Sequence, residues 1–344
     1  MKAVLLHNHG DREVLSFEDI PETECIPGKV KVNIQASAIN HLDIWVRNGL
    51  HGIKLPLPMI LGSDAAGTIV ETGSGVNKWK PGDEVVIQPG VFCGKCAHCI
   101  DGNEHYCHQY GILGETENGV QAEYIVLDPI NIYAKPTHLS FSEAASMQLV
   151  FMTAYQMLIK RAKIKKNETV LVYGGTSGIG SAAIQIIRDI GAHVIATVGN
   201  RKKINHAKKM GANNVVIHSD ENWKAEVKDI TAKKGVDIVF EHVGTATWKQ
   251  SLSLLSKGGR IVTCGATTGQ NVSINLAHLF IKQHSILGST MSSLPTFNTV
   301  MQKIHKQIYF PFVDKIFRME DIRKAHEYIE KSQHYGKVVM VFDL

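Results

Sequence analysis

Residues 170–187 read VLVYGGTSGIGSAAIQII, and this stretch decides the fold of the middle of the chain. An apolar run leads into a glycine-rich turn, and then into a segment where Ile184 and Ile187 recur at helical spacing. A strand, a tight turn and an amphipathic helix in this order predict a strand–helix unit whose turn binds a dinucleotide pyrophosphate. A tight turn without a ligand is the alternative. The residues predicted to bind are Gly175, Thr176, Ser177, Gly178, Ile179 and Gly180, with Ser177 at the second glycine position of G-x-G-x-x-G.

On either side of this stretch the sequence pattern changes. From about residue 151, apolar runs alternate with helical segments, which predicts a doubly wound parallel sheet of the α/β class. From Val30 to about Asp128, short alternating runs such as KVKVNIQ predict an antiparallel barrel or sandwich. The chain ends in another strand-like run, GKVVMVF. We therefore predict a mainly β domain over 1–150, a parallel-sheet domain over 151–287, and a return to the β domain over 288–344.

The bulk composition is that of an ordinary globular protein. The chain has 344 residues, of which 44% are hydrophobic and 20% charged, and its formal net charge is +5. Nucleic-acid binding would need a denser basic face with interleaved aromatic residues, so we expect no nucleic-acid partner. We also expect no membrane partner, because the sequence has neither an apolar run of about 18 residues nor a signal-peptide pattern. The expected location is the cytoplasm, and the expected partner is a small-molecule substrate.

The strand after the glycine-rich turn ends without the carboxylate that usually binds an adenosine ribose. That position falls at Val198, and the basic run GNRKK follows it. Without a carboxylate there is no repulsion of a ribose 2′-phosphate, and Asn200, Arg201 and Lys202 can bind one. The segment therefore predicts a preference for NADP(H) over NAD(H). A solvated basic loop is the alternative.

Four of the six cysteines lie within FCGKCAHCIDGNEHYC, residues 92–107. Their spacing, C-x2-C-x2-C-x7-C, supplies four thiolates, a ligand set that suits tetrahedral zinc. An iron–sulfur cluster is the alternative, but the ferredoxin run ends with a tighter spacing and a proline, whereas His108 follows here. Four cysteine ligands leave no open position for substrate, so we predict one structural zinc ion per chain, in a lobe at about residues 90–110. The predicted ligands are Cys93, Cys96, Cys99 and Cys107.

These motifs together resemble a known superfamily. The cysteine cluster, LGSDAAGTIVETGSGV (61–76), KPGDEVV (80–86) and GGTSGIG (174–180) are similar in kind and order to those of the medium-chain, zinc-containing alcohol dehydrogenases and quinone oxidoreductases. The resemblance extends along essentially the whole chain. It implies a GroES-like catalytic domain with a zinc lobe, a Rossmann domain for NAD(P)(H), and a homodimer or homotetramer.

The catalytic zinc site of that superfamily is altered in this sequence. The resemblance places Asn40 at the position of a cysteine ligand and Ser63 at that of a histidine ligand, and the third ligand position falls near Leu149. An amide, a hydroxyl and an alkyl group do not form a zinc site. The run N-x-x-D-x-x-x-R-x-G, which starts at Asn40, instead resembles the zinc-free quinone and enoyl reductases. A rearranged metal site is the alternative, with the ligands His41, Asp43 and Asp64.

A missing catalytic zinc favours substrates whose reduction leaves delocalised charge. Hydride addition to an aldehyde puts charge on one oxygen, which zinc stabilises as a Lewis acid. Addition to an enone, a quinone or an enoyl thioester gives a delocalised enolate instead. We therefore predict NADPH-dependent reduction of an activated C=C bond or a quinone, including acryloyl- or crotonyl-CoA. The alternatives are an alcohol dehydrogenase acting on aldehydes or ketones and a non-catalytic, crystallin-like NADPH-binding protein.

Several residues receive expected roles from this comparison. Asn40 would donate a hydrogen bond to the substrate carbonyl. His41 would act as an acid or lie beside the cofactor phosphates, and Asp43 and Asp64 would orient their neighbours. Lys337 would lie near the pyrophosphate. The other cofactor-binding positions that the resemblance implies are Thr153, Val243, Gly265, Ala266, Gly288 and Ser289.

Overall fold

The computed structural model describes residues 1–50 and 55–343. The chain divides into two compact units. The first unit is Met1–Leu149, Ser293–His305 and Phe310–Leu344, and the second is Val150–Ser292 and Lys306–Tyr309. Residues 288–292 thus belong to the second unit, whereas the sequence pattern assigned them to the returning segment. Among the described residues, no helix is long and apolar enough to cross a bilayer.

The strands carry most of the regular structure and are numbered along the chain. They are β1 (Lys2–Leu6), β2 (Leu15–Asp19), β3 (Val30–Ile39), β4 (Met59–Ile60), β5 (Asp64–Thr72), β6 (Glu84–Ile87), β7 (Gly90–Val91), β8 (Gly111–Ile112), β9 (Tyr124–Leu127), β10 (Ile132–Ala134), β11 (Thr169–Val172), β12 (His193–Val198), β13 (Asn214–Ile217), β14 (Val236–Glu241), β15 (Leu255–Thr263), β16 (Ser285–Gly288), β17 (Val313–Arg318) and β18 (Lys337–Val341).

The helices are mostly short and flank the strands. They are α1 (His41–Asn48), α2 (Ala97–Ile100), α3 (Phe141–Ala144), α4 (Gln148–Tyr155), α5 (Gly178–Ile190), α6 (Ile204–Met210), α7 (Trp223–Ile230), α8 (Thr245–Leu254), α9 (Leu276–Lys282), α10 (Leu294–His305) and α11 (Ile322–Glu330). A π-helical turn, Gln156–Arg161, follows α4 directly.

The main sheet of the first unit has the strand order β10-β6-β5-β3-β18-β17, and β9 also pairs with β3. Its neighbours are antiparallel except for the parallel pair β17–β18. The residues predicted to share one face of β3 by their period-two spacing, Val30, Val32 and Ile34, are buried in one core cluster with Ile69. The antiparallel β architecture expected for this part of the chain is confirmed.

The pairing of β3 with β5 and β18 places polar residues at one end of these three adjacent strands. Ala38, near the end of β3, is opposite Asp64, the first residue of β5. Ile39 is opposite Val338, the second residue of β18. Because β3 ends where its two antiparallel neighbours begin, residues 40, 64 and 337 meet at the same end of these strands.

The second unit is built on a six-stranded, wholly parallel sheet with the order β13-β12-β11-β14-β15-β16. Helix α5 packs along it through a fully buried face that includes Ile184 and Ile187. From β11 the chain builds outward to β12 and β13, and it then returns to build outward on the other side from β14. The crevice between β11 and β14 is therefore the topological switch point, and the predicted doubly wound fold is confirmed.

Candidate functional site

The glycine-rich turn joins β11 to α5 in the second unit. Gly174 has φ +56°, a left-handed conformation that favours glycine. A Cβ on Gly180 would lie 2.2 Å from the carbonyl oxygen of Gly174, and one on Gly175 would lie 2.7 Å from the Cβ of Ala196. Glycine is thus required for the close packing of turn, helix and strand. Gly174 was not among the predicted residues; its sequence signal is its place at the end of the strand.

Serine at the second glycine position has a structural reason. Ser177 is the N-cap of α5, and its Oγ accepts a hydrogen bond from the backbone N–H of Gly180 at 3.0 Å. Gly178 and Ile179 begin the helix behind this cap, and Thr176 is buried in the turn. Serine is a favoured N-cap residue because its hydroxyl satisfies an N–H group of the first turn. The substitution therefore supports the start of the helix that would face a pyrophosphate.

Two of the predicted cofactor-binding residues hold buried hydroxyls without a partner. Thr153 Oγ1 in α4 and Ser289 Oγ after β16 are buried, and no described residue hydrogen-bonds either atom. A buried hydroxyl is normally satisfied, since leaving it unpaired costs about 1–3 kcal/mol. Each of these two hydroxyls therefore has a hydrogen-bonding position left for a polar ligand.

The remaining predicted residues of the second unit lie at the end of β16 or in the turns after β14 and β15. The N–H of Val243 donates to the buried Glu241 carboxylate at 2.7 Å. The carbonyl oxygen of Gly265 accepts from Thr263 Oγ1 at 3.2 Å, and that of Gly288 accepts from Arg161 Nε at 2.8 Å. Ala266 closes the turn with Gly269. All lie at or just beyond the carboxyl ends of parallel strands, where ligands bind in this kind of sheet.

The basic segment after β12 is exposed, and a histidine from the next strand lies beside it. Asn200, Arg201 and Lys202 are all exposed. His218, directly after β13, bonds Thr197 Oγ1 through Nδ1 at 3.2 Å, and a Cβ on Gly199 would lie 3.7 Å from its ring. Burial lowers the pKa of His218, and the charge of Lys203 lowers it further. His218 was not predicted, because its place depends on the pairing of β12 with β13.

A buried polar cluster lies in the first unit, at the point where β3 ends and β5 and β18 begin. The ammonium of Lys337 donates to Asn40 Oδ1 and to Asp64 Oδ2, the latter at 3.0 Å. Asn40 Nδ2 donates to the same Asp64 oxygen at 3.0 Å. Leu149 N–H donates to the other carboxylate oxygen of Asp64 at 2.9 Å. Asn40 and Lys337 are only 6% and 4% exposed, and Asp64 is fully buried.

Asp43 supports this cluster from the first turn of α1. One of its carboxylate oxygens accepts from the backbone N–H of Asn40 at 2.7 Å, and the other accepts from that of Gly62 at 3.1 Å. Burial raises the pKa of Asp43 to about 7, although the two N–H groups and the charge of Lys337 act in the opposite direction. Asp43 therefore orients the backbone on both sides of the cluster.

Among the described residues, the other positions around the cluster do not assemble a metal site. Ser63 is buried and donates through Oγ to the carbonyl oxygen of Leu113 at 2.8 Å. His41 is exposed, with its ring 6.2 Å from that of Trp45. The ligand atoms of His41, Asp43 and Asp64 do not converge on a common point as a metal site would require.

Strand pairing brings Lys337 into this cluster. Its ammonium bonds Asn40 and Asp64, and the contact with a pyrophosphate that the resemblance implies stays a prediction. The reason for these bonds is the register: Lys337 is the first residue of β18, and β18 pairs with β3. No local sequence signal carries that pairing.

The four predicted cysteines form a compact thiol cluster between β7 and β8. Three of its Sγ–Sγ distances are 3.5, 3.5 and 3.8 Å, and all four atoms lie within 4.8 Å of one another. Ligands of a tetrahedral Zn–S₄ site with bonds of about 2.3 Å are about 3.8 Å apart, so the cluster fits zinc. Within 1–50 and 55–343, it is the one set of three or more His, Cys, Asp or Glu that could hold a metal.

Backbone N–H groups stabilise thiolates in this cluster. Cys96 N–H points at Cys93 Sγ at 3.4 Å, and Gln109 N–H points at Cys107 Sγ at 3.3 Å. The amides of Lys95 and Cys96 lower the pKa of Cys93 to about 6. Burial raises the pKa of Cys99, and a bound zinc ion would overcome this by deprotonating the thiol outright.

Comparison with known families matches both units. Residues 26–137 match a family model described as an alcohol dehydrogenase GroES-like domain. Residues 178–306 match one described as a zinc-binding dehydrogenase.

Full-length relatives carry several activities. Crotonyl-CoA reductase of Streptomyces avermitilis is 31% identical over 95% of this chain and 82% of its own length. Quinone oxidoreductase of Homo sapiens is 28% identical over 99% of this chain and 98% of its own. A crystal structure of an NAD-dependent alcohol dehydrogenase is 40% identical with a TM-score of 0.96, over 99% of both chains.

Proposed function

We propose that this chain, which belongs to the medium-chain dehydrogenase/reductase superfamily, reduces an activated C=C bond or a quinone without a catalytic metal. Its relatives in that superfamily include alcohol dehydrogenases, crotonyl-CoA reductases and quinone oxidoreductases. The chain is an NAD(P)H-dependent oxidoreductase with a GroES-like domain and a Rossmann domain. The observation that carries the proposal is the buried cluster of Asn40, Asp64 and Lys337.

The charge and chemistry of this cluster oppose a Lewis-acidic ion. The Lys337 ammonium already lies 3.0 Å from Asp64 and would repel a divalent cation. The nearby ligand positions hold Ser63, whose hydroxyl is bonded to a backbone carbonyl, and the alkyl side chain of Leu149. Zinc needs thiolate, imidazole or carboxylate ligands that converge, and one carboxylate paired with an ammonium is not such a set.

The cluster instead offers hydrogen-bond donors to a substrate oxygen. The roles of the Asn40 amide atoms follow from its partners, since an ammonium can only donate and an ionised carboxylate can only accept. One N–H of Asn40 and one of Lys337 remain unused by the described residues. A preorganised donor facing a developing oxyanion contributes about 2.7–4 kcal/mol to transition-state stabilisation. Two donors stabilise the delocalised negative charge of an enolate more easily than the localised charge of an alkoxide.

The reaction balances without a further reductant. When bound, NADPH would supply the hydride, with both electrons, that adds to the β-carbon, and NADP⁺ would be the oxidised product. The C=C π bond breaks, and its electrons pass to the carbonyl oxygen of the resulting enolate, where Asn40 and Lys337 donate hydrogen bonds. The α-carbon then takes one proton from water to give the saturated product.

NADPH rather than NADH is the proposed donor. Val198 leaves the end of β12 without a carboxylate, and Asn200, Arg201 and Lys202 present donors and charge there. His218 adds an imidazole beside the same turn. We expect a lower Michaelis constant for NADPH than for NADH. A clear preference for NADH would refute this assignment.

A substrate panel with metal analysis tests the function. The purified protein is assayed for NADPH oxidation with crotonyl-CoA, acryloyl-CoA, enones, quinones, aldehydes and ketones, with and without a chelator. We expect turnover of the conjugated substrates that a chelator does not abolish, and about one zinc per chain. Chelator-sensitive turnover of aldehydes or ketones alone, with a second metal, would contradict the proposal. A blank panel with tight NADPH binding would favour a non-catalytic, crystallin-like protein.

Two variants separate the possible roles of the cluster. Asn40→Leu removes the amide donor and should lower kcat by about 10²–10³-fold, with the Kd for NADPH unchanged. Lys337→Met should also lower kcat if the ammonium faces the substrate oxygen. If Lys337 instead contacts a pyrophosphate, the Lys337→Met variant should have a higher Kd for NADPH, whereas the Asn40→Leu variant should keep the wild-type Kd. Zinc content and circular dichroism confirm folding of each variant.

Alcohol dehydrogenase activity is the second candidate. The solved NAD-dependent alcohol dehydrogenase is 40% identical to this chain, a higher value than the 31% of the crotonyl-CoA reductase. In that case Asn40 and Lys337 would have to stabilise a localised alkoxide. Oxidation of simple alcohols with NAD⁺ or NADP⁺, faster than any reduction in the panel, would favour this candidate.

A homodimer formed through the second unit is the proposed assembly. Strand β16 is an edge of the six-stranded sheet, so one side of its backbone has no strand partner among the described residues. Helix α9, directly before it, exposes Leu276, Phe280 and Ile281 by 69, 69 and 62%. An open strand edge beside exposed apolar side chains fits a second copy of the same surface. The cytoplasmic location stays a prediction.

A further inference from the structure

His242 directly follows β14 and lies at the switch point of the parallel sheet. Strands β11 and β14 are neighbours, and the chain builds outward from them in opposite directions. Ligands of doubly wound sheets bind in the crevice at the carboxyl ends of these two strands. On the β11 side this crevice begins with Tyr173 and Gly174. On the β14 side it begins with His242, which directly precedes the predicted Val243.

The imidazole is held against the glycine-rich turn. Its Nε2 lies 2.9 Å from the carbonyl oxygen of Tyr173. A Cβ on Gly174 would lie 3.4 Å from the ring's Cε1 and 3.5 Å from Nε2, so the glycine leaves the ring in contact with bare backbone. The ring also makes an edge contact with Phe240, at a centroid distance of 6.2 Å. These contacts set its orientation.

The carbonyl contact assigns the roles of both ring nitrogens. A carbonyl oxygen only accepts, so Nε2 carries the hydrogen and donates it. In the neutral ring Nδ1 is then an acceptor. Among residues 1–50 and 55–343, no hydrogen-bond partner of Nδ1 is found, and the side chain is half-buried. The ring therefore presents an oriented acceptor at the crevice.

A buried carboxylate fixes the backbone that follows. Glu241, fully buried, accepts from the N–H groups of Val243 and Gly244 at 2.7 and 3.1 Å. It also accepts from Thr247 Oγ1 at 2.9 Å and Ser251 Oγ at 2.7 Å. With Glu241 holding one side and Tyr173 the other, His242 is preorganised before any ligand binds.

We propose that His242 is a cofactor-positioning residue, whose Nδ1 accepts a hydrogen bond from a hydroxyl of the nicotinamide-side ribose. This rests on the nicotinamide cofactor of the proposed function. Phosphate oxygens only accept, so the matching donors of a dinucleotide are its sugar hydroxyls and amino groups. Strand β14 begins the second half of the fold, and the first half, β11–β13, binds the adenosine side. The ribose of the second nucleotide is therefore the partner.

Three substitutions separate contact with the cofactor from support of the turn. His242→Gln keeps an N–H that can reach the Tyr173 carbonyl and loses the Nδ1 acceptor. His242→Asn keeps an acceptor near the Nδ1 position and loses the N–H toward Tyr173. His242→Ala loses both. Each folded variant is titrated with NADPH, ADP-ribose and ADP, of which ADP lacks the second ribose.

We expect His242→Gln and His242→Ala to raise the Kd for NADPH and ADP-ribose about tenfold, the size of one lost hydrogen bond. His242→Asn should stay within about twofold of the wild type, and the Kd for ADP should not change in any variant. Weakening by Asn but not by Gln, unchanged binding by Ala, or equal weakening of ADP would overturn the proposal. These titrations need no substrate, so they stand even if the substrate panel shows no turnover.

Discussion

At the scale of single residues, Lys337 and Asp64 form a buried ion pair. Their side chains are 5 and 0% exposed, so both charges are removed from water. Asp64 recovers this cost through three hydrogen bonds, from Lys337, Asn40 and the N–H of Leu149. Removing one partner of such a pair costs more than the pair contributes, because the remaining charge is left buried.

Lys337→Met should therefore lower the free energy of unfolding by about 3–5 kcal/mol. The double variant Asp64→Asn/Lys337→Met should lose less, because it leaves no uncompensated charge. Lys324→Met is the matched control: its ammonium is exposed beside Asp321, so solvent screens the ion pair and its loss should have far less effect on stability. Urea unfolding at fixed protein concentration measures all three. A double variant at least as unstable as the single one would contradict this account.

Asp43 should make stability depend on pH. Its pKa in the folded chain is about 7 against an ordinary 3.8, so the folded state keeps a proton that the unfolded state loses between these values. The unfolded state then binds fewer protons, and the contribution of Asp43 to stability falls as pH rises from about 4 to 7.

Asp43→Asn removes that titration. Between pH 5 and 7.5, the wild type should lose up to about 3 kcal/mol more stability than the variant, at roughly 1.4 kcal/mol per pH unit. Urea unfolding of both proteins at the two pH values gives the difference. Parallel pH profiles would show that Asp43 is ionised throughout.

At the scale of elements, the strand–turn–helix unit of β11 and α5 depends on backbone contact. The Cβ of Gly180→Ala would meet the carbonyl oxygen of Gly174 at 2.2 Å, and backbone cannot rotate away as a side chain can. We expect a loss of about 1–3 kcal/mol in stability and weaker NADPH binding. For stability, Gly199→Ala is the control, since its added methyl would stand 3.7 Å from His218. Equal melting temperatures for the two variants would contradict the expectation.

The cysteine lobe is the second element whose structure depends on a local requirement. Cys107→Ser removes a ligand from the cluster, and bound zinc should fall from about one per chain to near zero. Proteolysis should then cut within residues 93–107. Cys25→Ser, which changes a half-buried cysteine outside the cluster, should keep its zinc. Elemental analysis with limited proteolysis measures both effects, and zinc retained in Cys107→Ser would exclude the four-cysteine site.

At the scale of the whole molecule, the exposed face of α9 predicts association. Phe280→Asp would place charge in the proposed apolar interface and should shift the protein from dimer toward monomer. Ile26→Asp changes another exposed apolar residue, one in the first unit, and should leave the mass unchanged. Light scattering after size-exclusion chromatography gives the masses. A wild-type monomer, or a dimer unaffected by Phe280→Asp, would contradict the interface.

The sequence by itself determined what depends on local backbone and on short spacing. A strand, glycines and a helix in succession specify the turn at 174–180, because only that order allows the close approach seen between Gly174 and Gly180. Cysteines three and eight residues apart specify their cluster for the same reason. The replacement of zinc ligands at Asn40 and Ser63 is likewise a prediction from sequence alone, resting on the glycines Gly62, Gly67 and Gly73 that the resemblance to the family retains.

Only the tertiary structure decided which distant side chains meet. Lys337 reaches Asn40 across 297 residues, and His242 reaches Tyr173 across 69. Both contacts follow from strand order and register: β18 lies beside β3, and β14 lies beside β11. Register is a collective result of the packing of whole sheets. No local pattern therefore indicated that a lysine near the end of the chain would bond Asn40 and Asp64.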